Sequence, residues 1–167
     1  MTDLVILATL LPGPRHGYHL KRQAGMILGQ KALHNNLVYP LLRRFVTKKW
    51  VTKKTVPGER GQVRQQYSLT PLGRKELVSR LSTFTDQDAH SADAFRLRVG
   101  MFQILEPETR LQILETRERL LKSRIEKLET IQSNFELDRY AGEVTSRFCD
   151  DCKSELQWIE HLRRISK

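Results

Sequence analysis

The sequence predicts a mainly helical chain with one small antiparallel β-hairpin, divided into two parts at about residues 85/86. Three observations lead there. Apolar residues recur at helical spacing along most of the chain. That period gives way once to strict alternation, on either side of the turn-rich tip Pro57-Gly58-Glu59-Arg60-Gly61-Gln62. Charge is also segregated. Residues 1–81 carry 15 Lys and Arg against three acids, a balance of +12, whereas residues 82–167 carry 14 against 16, a balance of −2.

The elements follow in order. Leu4–Leu11 reads as a buried first helix ended by Pro12-Gly13-Pro14. From His16 to Leu28, Leu20, Ala24 and Ile27 share a helical stripe with Lys21 and Arg22 turned outward, and Gly29 caps the end. A third helix spans about Asn36 to Lys48, with Val38, Leu41, Leu42 and Phe45 inward and Pro40 in or just past the first turn, where a missing N–H costs least. Trp50–Val56 and Val63–Thr70 alternate as strands; Val63, Gln65, Tyr67 and Leu69 share one face. Thr70-Pro71 reads as N-cap and first residue of a fourth helix, with Leu77, Leu81 and Phe84 on its buried stripe.

Asp86-Gln87-Asp88 marks a break, and the rest is helical. Phe95, Val99, Phe102 and Leu105 line a short helix stopped before Pro107. Glu108 to about Leu137 repeats Leu114, Leu121, Leu128 and Phe135 every seven residues, with mixed companion positions, so it resembles a coiled-coil seam more than a clean zipper. About Val144 to Ile165, a last helix places Cys149, Cys152, Leu156 and Ile159 on one stripe.

Composition excludes several classes. Apolar residues at 39% are too many for a disordered tail, and the longest apolar run, Leu4–Leu11, is far short of the ~20 residues that cross a membrane. Asp3 before that run and Pro12-Gly13-Pro14 after it do not suit a secretory signal, and two cysteines cannot staple a secreted scaffold, so the expected setting is cytoplasmic. There is no phosphate-binding glycine loop, no GxSxG and no paired carboxylate in an apolar segment, so an enzyme is not expected. A +12 segment of this size seeks a polyanion.

Three helices, a hairpin and a fourth helix form the order of a winged helix-turn-helix, whose third helix enters the major groove while the wing touches backbone or minor groove. The segments Gly13-Pro14-Arg15-His16-Gly17-Tyr18-His19-Leu20, Leu37-Val38-Tyr39-Pro40-Leu41-Leu42-Arg43-Arg44-Phe45, Arg64-Gln65-Gln66-Tyr67-Ser68-Leu69-Thr70 and Thr70-Pro71-Leu72-Gly73-Arg74 carry a resemblance. In order and spacing they resemble the PadR-like winged-helix transcriptional regulators, whose usual forms are GPxHGYxL, LYPxLxRL, RxxYxLT and LTxxGR. The resemblance covers about residues 4–80. It implies a winged-helix domain over 1–85 and a helical dimerisation domain over 86–167. It departs at Thr47-Lys48-Lys49-Trp50-Val51, where the family commonly has Glu-Glu-x-Gly-Leu-Ile. Lys49 stands in the glycine's place, at a cost of about 1 kcal/mol if the backbone there is left-handed.

On the third helix Asn36, Tyr39 and Arg43 fall on the face opposite Leu41, Leu42 and Phe45. Asn pairs with adenine, Arg with guanine, and a Tyr hydroxyl reaches a phosphate. Asn36 reads equally as the N-cap, and Tyr39 alternatively as a core residue. The resemblance favours Tyr39 as a DNA contact. Arg44, Lys48, Lys53 and Lys54 add phosphate attraction or simply a solvated face, and Arg60 and Arg64 in the wing suit phosphate or minor-groove contact.

Leu114, Leu121, Leu128 and Phe135 are the expected dimerisation stripe. Cys149-Asp150-Asp151-Cys152 has no second ligand pair in the chain, so buried packing is favoured over a metal or redox site. Trp158 suits core, dimer seam or an effector pocket. The expected function is a homodimeric, sequence-specific repressor of double-stranded DNA without a cofactor. Some relatives answer to a small lipophilic or phenolic effector, as the resemblance implies. The alternative is a nonspecific nucleic-acid binder, architectural or RNA-binding; a thiol-based redox protein is the third reading.

Overall fold

The computed structural model describes residues 1–29, 31–57 and 63–166. The chain divides into two compact units, Met1–Leu81 and Ser82–Lys167.

The N-terminal unit runs α1 (Thr2–Thr9), β1 (Arg15–His16), α2 (Gly17–Ile27), α3 (Asn35–Thr47), β2 (Val51–Pro57), β3 (Val63–Leu69) and α4 (Pro71–Ser82). The fold is mainly helical with a small antiparallel sheet, and the sheet has three strands rather than two, in the order β1-β3-β2. β1 pairs Arg15 with Tyr67 and His16 with Gln66, and the hairpin pairs Val51 with Leu69 through Pro57 with Val63. Val5, Ile6, Leu7, Leu20, Val38, Leu42, Phe45, Leu77 and Leu81 form its core. Each such side chain contributes about 1.5–3 kcal/mol by leaving water.

Three local features differ from the sequence reading. The N-cap of α3 is His34, so Asn36 is the second helical residue and not the cap. Pro40 therefore lies inside α3, where it withholds an N–H from the Asn36 carbonyl on an exposed side of the helix. Strand alternation is incomplete: of the four residues expected on one face of β3 only Tyr67 is buried, and Val63, toward the wing tip, is 70% exposed.

The entry to the wing is tightly built. Lys49 has φ +58°, the left-handed backbone expected from glycine's usual place there. Thr70 caps α4: its hydroxyl accepts from the Gly73 N–H at 2.9 Å and lies 2.7 Å from the Lys49 carbonyl. Gly73 is required by space, since a Cβ there would stand 2.0 Å from the Trp50 carbonyl oxygen. The Trp50 ring lies between two cations, Lys48 Nζ at 4.6 Å and the Arg80 guanidinium at 4.8 Å from its centroid.

The C-terminal unit is wholly helical in its described residues. It comprises α5 (Asp86–Ala89), α6 (Ala92–Val99), a 3₁₀ turn (Phe102–Ile104), α7 (Pro107–Asn134) and α8 (Arg139–Ile165). The expected break at Asp86-Gln87-Asp88 is in fact a short helix, begun by a capping box in which Thr85 and Asp88 bond each other's backbone N–H. Phe84 does not extend the α4 stripe. It follows the end of that helix, and its ring lies 6.2 Å from Phe95 with the Arg98 guanidinium over it. Phe95, Leu105, Ile113, Leu114, Leu121 and Ile159 are buried in the core of this unit.

Two arginines are also buried there. Arg98 bonds the Ala94 and Thr83 carbonyls and Asp88. Arg117 forms a two-pronged pair with Glu155, at 2.8 and 2.9 Å, and donates to the Ala89 carbonyl.

Candidate nucleic-acid interface

The amphipathic pattern of α3 closes one side of the helix and leaves the other open. Val38, Leu42 and Phe45 are fully buried, while Asn36 and Arg43 are exposed and Tyr39 is half-buried between them. That spacing puts an amide, a phenol and a guanidinium on one face, all able to donate hydrogen bonds to a polyanion. Arg44 points elsewhere. It reaches Asp3 at 4.0 Å, and its guanidinium stacks over Phe45 at 5.7 Å. One residue along a helix turns the side chain by about 100°, so the half-exposed Arg44 does not share the face of Arg43.

Beside the start of α3 lies a groove of about 940 Å³ lined by Tyr18, Lys21, Arg22, Lys31, Asn35 and Asn36 among others. Lys21 donates to the Asn35 side chain at 3.2 Å, tying α2 to α3. Tyr18, Arg22 and Lys31 were not among the sequence candidates. The outward-facing basic residues of the second helix carried the signal.

The wing divides its cations between two faces. Paired residues of neighbouring antiparallel strands project to the same side. Lys53 therefore shares a face with Tyr67 and Arg15, and Lys54 shares the other with Gln66, Arg64 and Val56. Lys48, Lys53 and Lys54 are exposed and Arg64 is half-buried. Arg60 lies outside the described residues. Burial pushes the Tyr67 phenol up, Tyr39 adds to the rise, and Arg43 opposes it. These two tyrosines and Arg43 thus feel one another where β3 and α3 meet.

The expected dimer stripe is split by burial. Leu114 and Leu121 are 0% and 1% exposed within the chain itself, which corrects their assignment to a surface seam: they are spent on the core of their own unit. Leu128 is half-buried and Phe135, just past the end of α7, is 64% exposed. Ile131, Tyr140, Val144 and Phe148, toward the same ends of α7 and α8, are exposed apolar residues too.

Cys149 and Cys152 are free and buried, and burial pushes the Cys152 thiol up, away from the reactive thiolate. The Trp158 indole meets Phe95 edge-on at 5.7 Å and lines a cavity of about 570 Å³ with Arg96, Arg124, Phe148 and Cys152. Arg124 lies over the Phe148 ring at 5.4 Å.

A three-helix core with a β-wing and a helix of open polar face defines the N-terminal unit as a winged helix-turn-helix. Residues 6–79 match the profile of the Transcriptional regulator PadR-like family. A protein described as a transcriptional regulator from Thermoplasma acidophilum is 32% identical, over 47% of this chain and 75% of that one, with a TM-score of 0.44. Bacillus subtilis PadR, solved in complex with operator DNA, is 18% identical over 99% of this chain and 98% of its own, with a TM-score of 0.47. A PadR family transcription regulator from Clostridium difficile is 22% identical over 47% and 81%, with a TM-score of 0.41. No curated protein matches the chain. The chain belongs to the PadR-like family of transcriptional regulators, which are not enzymes. No helix among the described residues is long and apolar enough to cross a membrane.

Proposed function

We propose that the chain is a sequence-specific DNA-binding repressor acting as a homodimer, with residues 1–85 binding DNA and residues 86–167 pairing the protomers. One observation carries the reading: α3 offers Asn36, Tyr39 and Arg43 on an open face whose opposite side is closed by fully buried residues. Arg43 reads a base edge, Tyr39 binds phosphate, and Asn36 reads adenine. Lys48 at the end of α3 and Lys53, Lys54 and Arg64 on the wing strands supply phosphate attraction, and Arg60 is assigned the same role.

One such module reads too few base pairs to be selective, and two-fold pairing doubles the site. The exposed apolar residues around Phe135 support pairing through the facing ends of α7 and α8, with Leu128 contributing its exposed part. The full chain is expected to be a dimer by light scattering at micromolar concentration, and Phe135→Glu a weaker one. The cavity beside Trp158 suits a small phenolic or lipophilic effector, since it combines aromatic walls with the cation of Arg124.

Salt titration tests the whole reading. A dimer that neutralises about 8–12 phosphates gives a slope of log K against log salt of roughly −7 to −11 on duplex DNA. A duplex selected from a random-sequence library should bind far more tightly than random duplex. Tighter binding to single-stranded RNA than to either would overturn the proposal in favour of an RNA-binding protein.

A further inference from the structure

Among the described glycines of the N-terminal unit three lie against close neighbours, and they are not alike. A Cβ on Gly25 would stand 2.5 Å from the Ala32 backbone, and one on Gly73 2.0 Å from the Trp50 carbonyl. Those two glycines let backbone approach backbone. Gly17 meets only a side chain: a Cβ there would lie 3.0 Å from Tyr39 Cε1, 3.3 Å from its hydroxyl oxygen and 3.5 Å from Cζ. Gly17 is the first residue of α2, and its φ lies outside the left-handed region, so the backbone itself does not call for glycine there. The phenol of Tyr39 does.

Gly17 has no room to retreat from that ring. The residue before it, His16, is paired with Gln66 in the sheet, and its Nδ1 lies 3.3 Å from the Gln65 carbonyl oxygen. The start of α2 is thereby pinned to β3, the same strand that carries Tyr67. We propose that Gly17 is a positioning residue for DNA binding: its missing side chain is the seat that directs the Tyr39 hydroxyl to a phosphate, so that the β1–β3 pairing of the sheet sets the aim of α3. The proposal rests on the DNA-binding reading above and assigns a role to a residue that cannot itself donate a side-chain contact. Tyr39 is coupled through Gly17 to the sheet, and β1, only two residues long, is what holds the seat in place.

The test is a double-mutant cycle on the full chain, using Gly17→Ala, Tyr39→Phe and the double variant. Affinity is measured by fluorescence anisotropy on a duplex selected by the wild-type protein from a random-sequence library. Wild-type protein that binds no duplex would fail the functional reading itself, before any variant is compared. Loss of one hydrogen bond to a charged phosphate predicts that Tyr39→Phe weakens binding about ten- to a hundredfold. Gly17→Ala should weaken it by a similar factor in the wild-type background and by less than about twofold in the Tyr39→Phe background. The salt slope should stay unchanged in all three, because a phenol releases no counterion. Equal losses from Gly17→Ala in both backgrounds, a changed slope, or no effect of Tyr39→Phe would each overturn the proposal. If Gly17→Ala does not fold, Gly17→Ala/Tyr39→Ala decides by circular dichroism. Folding restored by removing the ring supports the seat, and a double variant that stays unfolded overturns it.

Discussion

The two units hold their cations in opposite ways. In the C-terminal unit Arg96, Arg98, Arg117, Arg119, Lys122, Arg147, Lys153 and Arg163 all form ion pairs with acids of the same unit. In the N-terminal unit the described acids, Asp3 and Glu76, are taken by Arg80 and Arg44 on the α1 and α4 side. Arg43, Lys53, Lys54 and Arg64 have no ion pair among the described residues. Segregation of charge in the sequence therefore has a structural counterpart. One unit neutralises itself, and the other keeps a self-repelling surface whose natural complement is a polyanion. The first arrangement supports a fold, and the second costs stability in exchange for binding.

Breaking the internal neutralisation should give the largest effect. Arg117→Met removes the buried member of its pair and leaves the part-buried Glu155 without its guanidinium, a loss of about 3 kcal/mol, the lower end of the range for a buried pair. Denaturant unfolding should show that loss. A cost below about 1 kcal/mol would mean that solvent already screens the pair, and the contrast between units would weaken.

On the other side, Arg43→Ala should leave stability nearly unchanged and cost about 1–3 kcal/mol of binding to the selected duplex, with little change on random duplex. Lys54→Ala should weaken both about equally. If Arg43→Ala lowers both affinities alike, Arg43 contacts phosphate only, and the open face of α3 attracts without reading.

Lys49→Gly sharpens the comparison at the wing. The left-handed backbone costs a lysine about 1 kcal/mol relative to glycine, so the variant should be more stable by about that amount. It also removes a cation from the basic unit. Higher stability with weaker binding to random duplex would show that positive charge is retained here against the interest of the fold; unchanged binding would show that Lys49 lies outside the interface.

Legibility in the sequence followed the strength of the local signal. The helices and the hairpin were readable because apolar period and Pro-Gly punctuation agree there, and the left-handed backbone at Lys49 was readable from the place glycine usually holds. The third strand was not: Arg15–His16 has two residues, too few for any period, and it exists because β3 offers it an edge. For the same reason the Gly17–Tyr39 contact was hidden, since it joins residues far apart in sequence. Leu114 and Leu121 show the opposite failure. Their heptad spacing is real, but periodicity reports that a face is buried and not what buries it. Asn36, Tyr39 and Arg43 emerge together because helical spacing alone determines a shared face. That Tyr18, Arg22 and Lys31 line one groove with Asn36 depends on how α2 and α3 pack, which no local period reports.

The smallest effect is expected from pH, and it separates the units again. Hydrogen bonds from Lys122 and Arg163 hold the Glu118 carboxyl below its usual range, against the opposing pull of burial. A carboxylate whose pKa is lowered by folding adds stability that is fully present above the unfolded value of about 4.3 and is lost as pH falls through the folded value. Glu118→Gln should therefore cost up to about 1 kcal/mol at pH 7, the range for a partly exposed pair, and the difference from wild type should vanish as pH falls through the folded value. For Asp3 burial alone would raise the carboxyl, but the N-terminal ammonium, the Leu4 N–H and Arg80 together lower it, so Asp3→Asn should show the same sign. The two variants should differ in what else they change. Losing Asp3 releases Arg44, leaves Arg80 paired with Glu76 alone and should tighten binding to random duplex, whereas losing Glu118 acts on a unit that neutralises itself and should leave that binding alone. Duplex titrations of both variants at fixed salt measure this. Equal effects on random duplex would mean that the charge of the chain as a whole, and not of one unit, governs its attraction to DNA.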